Sequence, residues 1–346
     1  MSKANGDRGF TLPELMMSMS LLLIMLGISA VIFDQLQNVS DAAGSMADVN
    51  QNLRGAVNVL SRDLSMAGWN LPQKGIPIPC GGSATRIKLP GSASSYFPCT
   101  CPCNMSLVTP LYSGTAGYNA SDEVVMITVN PAAAATGAVS AITLSAPTSA
   151  TITVPNSLAS IVTPGQLIML LNNASNCLLA ASAVNTSTNV ITFTSSDTTN
   201  DVLGLNQFAT NITSGSLAQL KSGGTFPATT AYLISMTTYY LNTAATPPQL
   251  MRISGSGAAS TGGAQAVALG IRIFQVSYDL NDGTANQRIG SFNANNIMNA
   301  NLSITGVADH PNRKSRQYYT DTINTQITLQ NLAYTNKYGT SSQPNQ

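Results

Sequence analysis

Apolar residues fall along this chain in three successive patterns, and each predicts a different kind of element. From Phe10 to Phe33 they are almost continuous, with Glu14 the one charge. As a helix this run of about 24 residues is roughly 36 Å long, enough to cross a bilayer core of about 30 Å. It exceeds the usual signal-peptide core of about 7–15 residues, and no Ala-x-Ala-like site with a compact flank follows it. A short polar leader with Lys3 and Arg8 precedes it, and Asp34 ends it.

The second pattern is periodic. Leu36, Val39, Ala43, Met46, Val49, Leu53, Val57, Leu60 and Leu64 recur mostly three and four residues apart. That spacing predicts an amphipathic helix continuing directly from the apolar run. Gly68 and Pro72 close it, so one helix is expected over 10–67, weakened at Gly27, Gly44 or Gly55. Asp34, Asp41 and Asp48 fall seven apart, roughly opposite the apolar seam. They read either as a solvated face or as a contact line to neighbouring subunits. Near the end, Arg62 and Asp63 are expected outside, with Leu60 and Leu64 facing inward.

The third pattern is β. Residues 70–120 are rich in Pro, Gly, Ser and Cys with little periodicity, and read as a long loop pinned by cysteine. Val124–Val129 is a strand of branched residues. Ala132–Ala138 reads as a small-residue linker. Short strands follow near 139–144, 150–154, 167–171 and 189–194, and longer ones over 231–241, 249–253, 266–278 and 320–332. In the last, Ile323, Ile327 and Leu329 alternate with Asn324, Gln326, Thr328 and Gln330, so one face is buried. The expected fold is α+β: a long N-terminal helix, half membrane segment and half amphipathic, packed on an antiparallel β-sheet. The expected divisions are a leader (1–9), the helix (10–67, with 10–33 in the membrane), the cysteine-containing loop (68–121), and a β-rich domain (122–334). Within that domain 130–225 forms a small inserted barrel or an elaborated loop. Residues 335–346 are a tail.

Composition narrows the function. Only 8% of residues are charged and the net charge is +1, so no basic face points to nucleic acid. The five cysteines, Cys80, Cys99, Cys101, Cys103 and Cys177, lie beyond the membrane run on the side expected to be translocated, where disulfides form. Two bridges and a spare thiol allow about fifteen arrangements. Cys80 is expected to pair with Cys99, Cys101 or Cys103, with Cys177 reaching the same loop. The Cys-x-Cys-x-Cys spacing is not that of zinc pairs, and the one histidine, His310, is remote in sequence. Asp279-Leu-Asn-Asp282-Gly283 misses the calcium-loop spacing and reads as a turn. Asp122-Glu123 reads as a pair of loop charges. With no nucleophile–histidine constellation and no phosphate-cradling glycine loop, neither an enzyme nor a cofactor is expected.

Gly9-Phe10-Thr11-Leu12-x-Glu14 resembles the processing site of type IV prepilins. The resemblance implies that a dedicated peptidase cuts between Gly9 and Phe10 and methylates the new amine on Phe10. Glu14 then becomes the fifth mature residue. A carboxylate inside a membrane segment is costly without a partner, and in a filament a neighbouring subunit's Phe10 ammonium can supply one. Arg54, then Arg62-Asp63-Leu64-x-x-Ala67-Gly68-Trp69, resembles the helix end of PilW-like minor pilins, as do Tyr239-Tyr240-Leu241, Leu250-x-Arg252 and Val276-x-Tyr278. The resemblance covers the first ~70 residues well and the remainder in patches. It departs at Pro13, a residue tolerated in a first helical turn, and in the cysteine-rich 80–103 stretch. It implies a minor pilin that primes pilus assembly or sits at the tip. Such a subunit starts in the inner membrane, ends at the cell surface, and has prepilin peptidase and other minor and major pilins as partners. A J-type pseudopilin of type II secretion and a pilin-borne adhesin with 130–225 as its binding module are the alternatives.

Overall fold

The computed structural model describes residues 11–69, 71, 76–78, 103–105, 108–112, 121–132, 134–145, 148–195, 197–206, 208, 216–256, 263–285 and 297–331. Its first element is α1 (Leu12–Met66), 55 residues long and therefore about 80 Å from end to end. Thr11 caps it in an extended conformation, and Pro13 stands in the first turn, where its missing N–H costs nothing. Gly27, Gly44 and Gly55 do not interrupt it. The helix stops at Ala67 and at Gly68, whose φ of 75° is open to glycine at no steric cost. The stop also stitches helix to sheet: Gly68 N–H donates to the Ile127 carbonyl at 2.9 Å, and Val129 N–H to Trp69 at 3.2 Å.

The strands in chain order begin with β1 (Ile76–Ile78), β2 (Cys103–Met105), β3 (Val108–Tyr112), β4 (Asp122–Val129), β5 (Thr136–Val139), β6 (Ala141–Ser145) and β7 (Ser149–Thr153). A single turn of helix, α2 (Asn156–Ala159), precedes β8 (Leu167–Leu171), β9 (Asn176–Ala180), β10 (Ala183–Asn185) and β11 (Val190–Thr194). Then come β12 (Thr229–Asn242), β13 (Gln249–Ser254), β14 (Gln265–Leu269), β15 (Ile271–Leu280), β16 (Ile297–Val307) and β17 (Thr320–Thr328).

Every strand pairing is antiparallel. The main sheet is built on β12, whose 14 residues serve two sets of neighbours. Its C-terminal half lies between β4 and β13, and its N-terminal half between β5 and β8. Asn130 N–H donates to Leu233 C=O, and Leu233 N–H to Ala135 C=O, so β4 and β5 follow one another along the same edge of β12. The stretch 130–225 is thus divided. β5, β8 and β9 join the main sheet, while β6, β7, β11 and β10 form a four-stranded sheet of their own. Asp201 pins the return from that sheet, accepting N–H bonds from Gly204, Leu205 and Asn206.

A third sheet, β15-β16-β17, is joined to the first at Gly270. There Val307 N–H donates to the Gly270 carbonyl at 2.7 Å, and a Cβ on Gly270 would stand 2.6 Å from the Val307 carbonyl oxygen. The expected single strand over 266–278 is therefore two, because the positive φ of Gly270 turns the chain from one sheet into the other. β16 escaped the sequence reading. Its alternation is carried by Ala300, Leu302, Ile304 and Gly306 among Asn, Ser and Thr, too slight in bulk to mark a strand. The expected linker at 132–138 runs into β5 for the same reason.

The distal half of α1 covers both sheets, packing on β14 and β4 of the first and on β16 and β17 of the second. Val49, Leu53, Ala56, Leu60 and Leu64 are buried, the three-and-four spacing of one helix face. Gly306 lets the helix sit close: a Cβ there would meet Val49 Cγ1 at 3.0 Å and Leu53 Cγ at 3.1 Å.

Candidate functional site: an exposed helix and the contacts that hold it

None of the residues from Leu12 to Phe33 is buried, although the run is strongly apolar, with mean hydropathy 2.4 in its most apolar window. Among the described residues none of the domain covers this stretch, and its length and composition suit a bilayer. Glu14 sits in its first turn, with Thr11 Oγ1 donating to its carboxylate at a long 3.4 Å. Ser18 turns away and donates to the Glu14 carbonyl at 3.0 Å. Gly9 and Phe10, the expected cleavage and methylation site, lie outside the described residues.

Beyond Phe33 the apolar seam continues, but Leu36, Val39 and Met46 are exposed and burial starts only at Val49. The seam predicted to dock on the sheet is therefore half unpartnered. One loop of the domain does reach this part of the helix. Residues 308–319 join β16 to β17 and border a groove of about 830 Å³ against Ser40–Asp48. Arg313 Nε stands 3.5 Å from Asp41 Oδ2 across it. Of the three spaced aspartates, then, Asp41 meets the protein's own loop, and Asp48 lines the same groove.

At the other end of the helix an ion pair corrects the expected exposure of Asp63. Its carboxylate turns inward and accepts from Tyr239 Oη at 2.7 Å and from Arg252 Nε at 2.9 Å. Arg252 Nη1 continues to Ser254 Oγ at 2.7 Å. Burial raises the Tyr239 hydroxyl pKa, and its bond to the Asp63 carboxylate adds to the rise. For Arg252 burial opposes the charge, but Asp63 outweighs it and holds the guanidinium above its ordinary value. Arg62 does point to solvent. The sequence carried both halves of this contact, in Arg62-Asp63 and in Tyr239 with Leu250-x-Arg252, but no local signal joins them.

The acid pair Asp122-Glu123 opens a strand rather than lying in a loop. Asp122 is buried and accepts Val276 N–H at 2.7 Å, fastening β4 to β15. Burial pushes the Glu123 carboxyl up to about 7. Asp279 is occupied by strand amides, accepting from Asn301 Nδ2 at 2.9 Å and Gln326 Nε2 at 2.8 Å. Among the described residues no three metal-ligating side chains converge.

Cys177 is a free, buried thiol on β9. β9 packs against β1 of the expected cysteine loop, so Cys177 does lie near that stretch, but it carries no disulfide. Leu170 stands opposite it on β8, and the Cys177 side chain is fully buried. Cys80, Cys99 and Cys101 lie outside the described residues, as does the side chain of Cys103. The backbone of Cys103 pairs with Ile78, two positions before Cys80.

Residues 4–30 match the prokaryotic N-terminal methylation motif. The match covers the expected processing site and most of the exposed apolar run. Together they support a type IV pilin-like protein whose precursor is held in a membrane by α1. No curated protein and no solved structure matches the chain.

Proposed function

We propose that this chain is a minor pilin of a type IV pilus, a structural subunit with no catalytic role that helps prime pilus assembly or sits at the pilus tip. One observation carries the reading. Behind a prepilin-type motif stands a single helix whose first half is apolar and unburied, while its second half is part of a β domain. Such a helix suits two successive environments, the inner membrane before assembly and a bundle of neighbouring helices after it. The motif supports processing after Gly9 by prepilin peptidase, with methylation of Phe10. The mature subunit then travels from the inner membrane to the cell surface with minor and major pilins as its partners. The test is recovery of the protein in sheared, purified pili from wild-type cells, with intact-mass analysis of its N-terminus. Its presence in the pili, beginning at a methylated Phe10, supports the reading. Absence from pili together with presence in a secretion pseudopilus favours the J-type alternative.

A further inference from the structure

The main sheet forks along β12. On one side of that strand, pairing with β8 ends at Ile234 and pairing with β13 begins at Thr237, so Ser235 and Met236 have no strand alongside them there. Gly255 N–H closes on the Met236 carbonyl at 2.7 Å. A groove of about 470 Å³ opens at this fork, bordered by the last turns of α1, by β4, and by the ends of β8 and β13. Its charged residues, among those described, are Arg62, Asp63 and Arg252, two cations to one anion. The anion is fully used. Asp63 Oδ2 accepts from Tyr239 and Arg252, and Oδ1 faces Arg62 at 3.4 Å. Arg62 Nη1 and Arg252 Nη2 have no acceptor among the described residues. Two carboxamides that border the groove repeat this bias. Asn130 Oδ1 accepts Ala132 N–H at 3.0 Å, and Gln166 Oε1 accepts Thr163 N–H at 2.9 Å. A backbone donor fixes each oxygen, so each side chain has its NH2, a donor only, left to offer. Met66, Met126 and Met236 add an apolar, adaptable wall.

We propose that this groove binds a carboxylate carried on an apolar body. Arg62 and Arg252 take the carboxylate, with Asn130 and Gln166 donating beside them, and the methionines take the body. Guanidinium–carboxylate bonds are charge-assisted and stronger than neutral ones, and the volume is that of a small-molecule site. The acid comes either from a free small molecule or from the end of a peptide. The site stands whether or not the chain enters a pilus.

Trp69, the one tryptophan of the chain, reports on the groove. Its N–H donates to the Met66 carbonyl and its carbonyl accepts from Val129, the neighbour of Asn130. Full-length protein in detergent is titrated at neutral pH and fixed ionic strength with hexanoate, with hexanamide and with acetate, following tryptophan fluorescence. A saturable change is expected with hexanoate, at concentrations at least about tenfold below those needed for hexanamide, which lacks the charge, or acetate, which lacks the body. Asn130→Asp with Gln166→Glu keeps both oxygens that hold the backbone and replaces both NH2 groups with carboxylate oxygens. It should weaken hexanoate about tenfold or more while leaving the melting temperature unchanged. Arg62→Gln, a change at an exposed side chain, should weaken hexanoate as well and checks the site independently of the carboxamides. An alanine-rich peptide with a free C-terminus, set against its amidated form, separates the two sources: tighter binding than hexanoate assigns a chain end, weaker binding a free acid, and either supports the site. No saturable response to hexanoate, an equal response to hexanamide or acetate, or hexanoate binding unchanged in these variants overturns the proposal.

Discussion

Arg252 Nε lies 2.9 Å from Asp63 Oδ2, joining the last turns of the helix to a strand 189 residues further along the chain. Tyr239 donates to the same oxygen, so one half-buried carboxylate anchors two strands at once. Removing the acid leaves a shielded guanidinium with no anion. Asp63→Ala is expected to cost about 2–3 kcal/mol of stability, and Arg252→Lys a similar share because one ammonium cannot reach both Asp63 and Ser254. Urea denaturation of the full-length protein in detergent checks this. Loss of less than about 0.5 kcal/mol for Asp63→Ala would remove the anchor from the account.

Glu123 makes stability depend on pH. Its carboxyl is raised from 4.5 to about 7 by burial, so the folded state holds the proton more tightly than the unfolded chain. The contribution is most favourable below pH 4.5 and is lost as pH rises through 7. Glu123→Gln should therefore raise the melting temperature at pH 8, by an amount corresponding to roughly 2 kcal/mol, and do little at pH 4. Melting curves of both proteins across that range decide it. A gain that is the same at pH 4 and pH 8 contradicts the assignment.

Two glycines with positive φ separate strain from crowding. Gly270 and Gly283 have φ of 67° and 89°. A Cβ at Gly283 meets nothing within 4 Å, while one at Gly270 lies 2.6 Å from a backbone oxygen. Gly283→Ala should cost about 1 kcal/mol from its backbone conformation alone. Gly270→Ala should cost at least about 1 kcal/mol more, because the junction of two sheets must open. Equal losses in chemical denaturation would mean that the close approach carries no energy.

The Cys177 thiol is fully buried, and burial pushes its pKa well above the ordinary range. Alkylation of native protein should leave it unmodified, and denaturant should expose it, because the thiolate is the reactive form. Mass spectrometry of tryptic peptides reads the site directly. Rapid native labelling, or a disulfide at Cys177, would refute its placement.

Glu14 separates assembly from folding. It lies in an exposed stretch far from every buried residue of the domain, so Glu14→Ala should leave the domain's melting temperature unchanged. Under the proposed function it should also lower recovery in sheared pili several-fold, since a charge that pairs only in the filament is gone. Quantitative immunoblots at matched membrane levels measure this. Unchanged recovery would show that docking does not depend on Glu14.

The helix was legible almost to its ends, expected over 10–67 and observed over Leu12–Met66, because a long apolar run and a 3.6-residue period are local signals. The strands rich in branched residues, such as Val124–Val129 and Leu167–Leu171, were legible for the same reason. β16 was not, since its buried face is interrupted by the slight residues Ala300 and Gly306, the second of them kept small by Val49 and Leu53 of the helix packed against it. Asp63 was misplaced because a charge next to a seam reads as solvated until its partner, Arg252, is known. Likewise the acidic stripe gave no hint that Arg313 would reach Asp41. Contacts of this kind are set by how the sheets stack, which no stretch of sequence records by itself.

The helix seam also has a history in time. Ribosomes make α1 first, yet Val49 and Leu53 close against Gly306, and the strands that bury them, β14, β16 and β17, are among the last to be synthesised. The earliest segment thus waits for nearly the entire chain before its apolar side chains find cover. During that interval an unfinished molecule exposes a continuous greasy strip running from the membrane segment to Leu64, the kind of surface that invites aggregation. Membrane anchorage removes the first part of the strip from water early, and the stretch from Val49 to Leu64 is the part that then has to be kept apart until the final strands arrive.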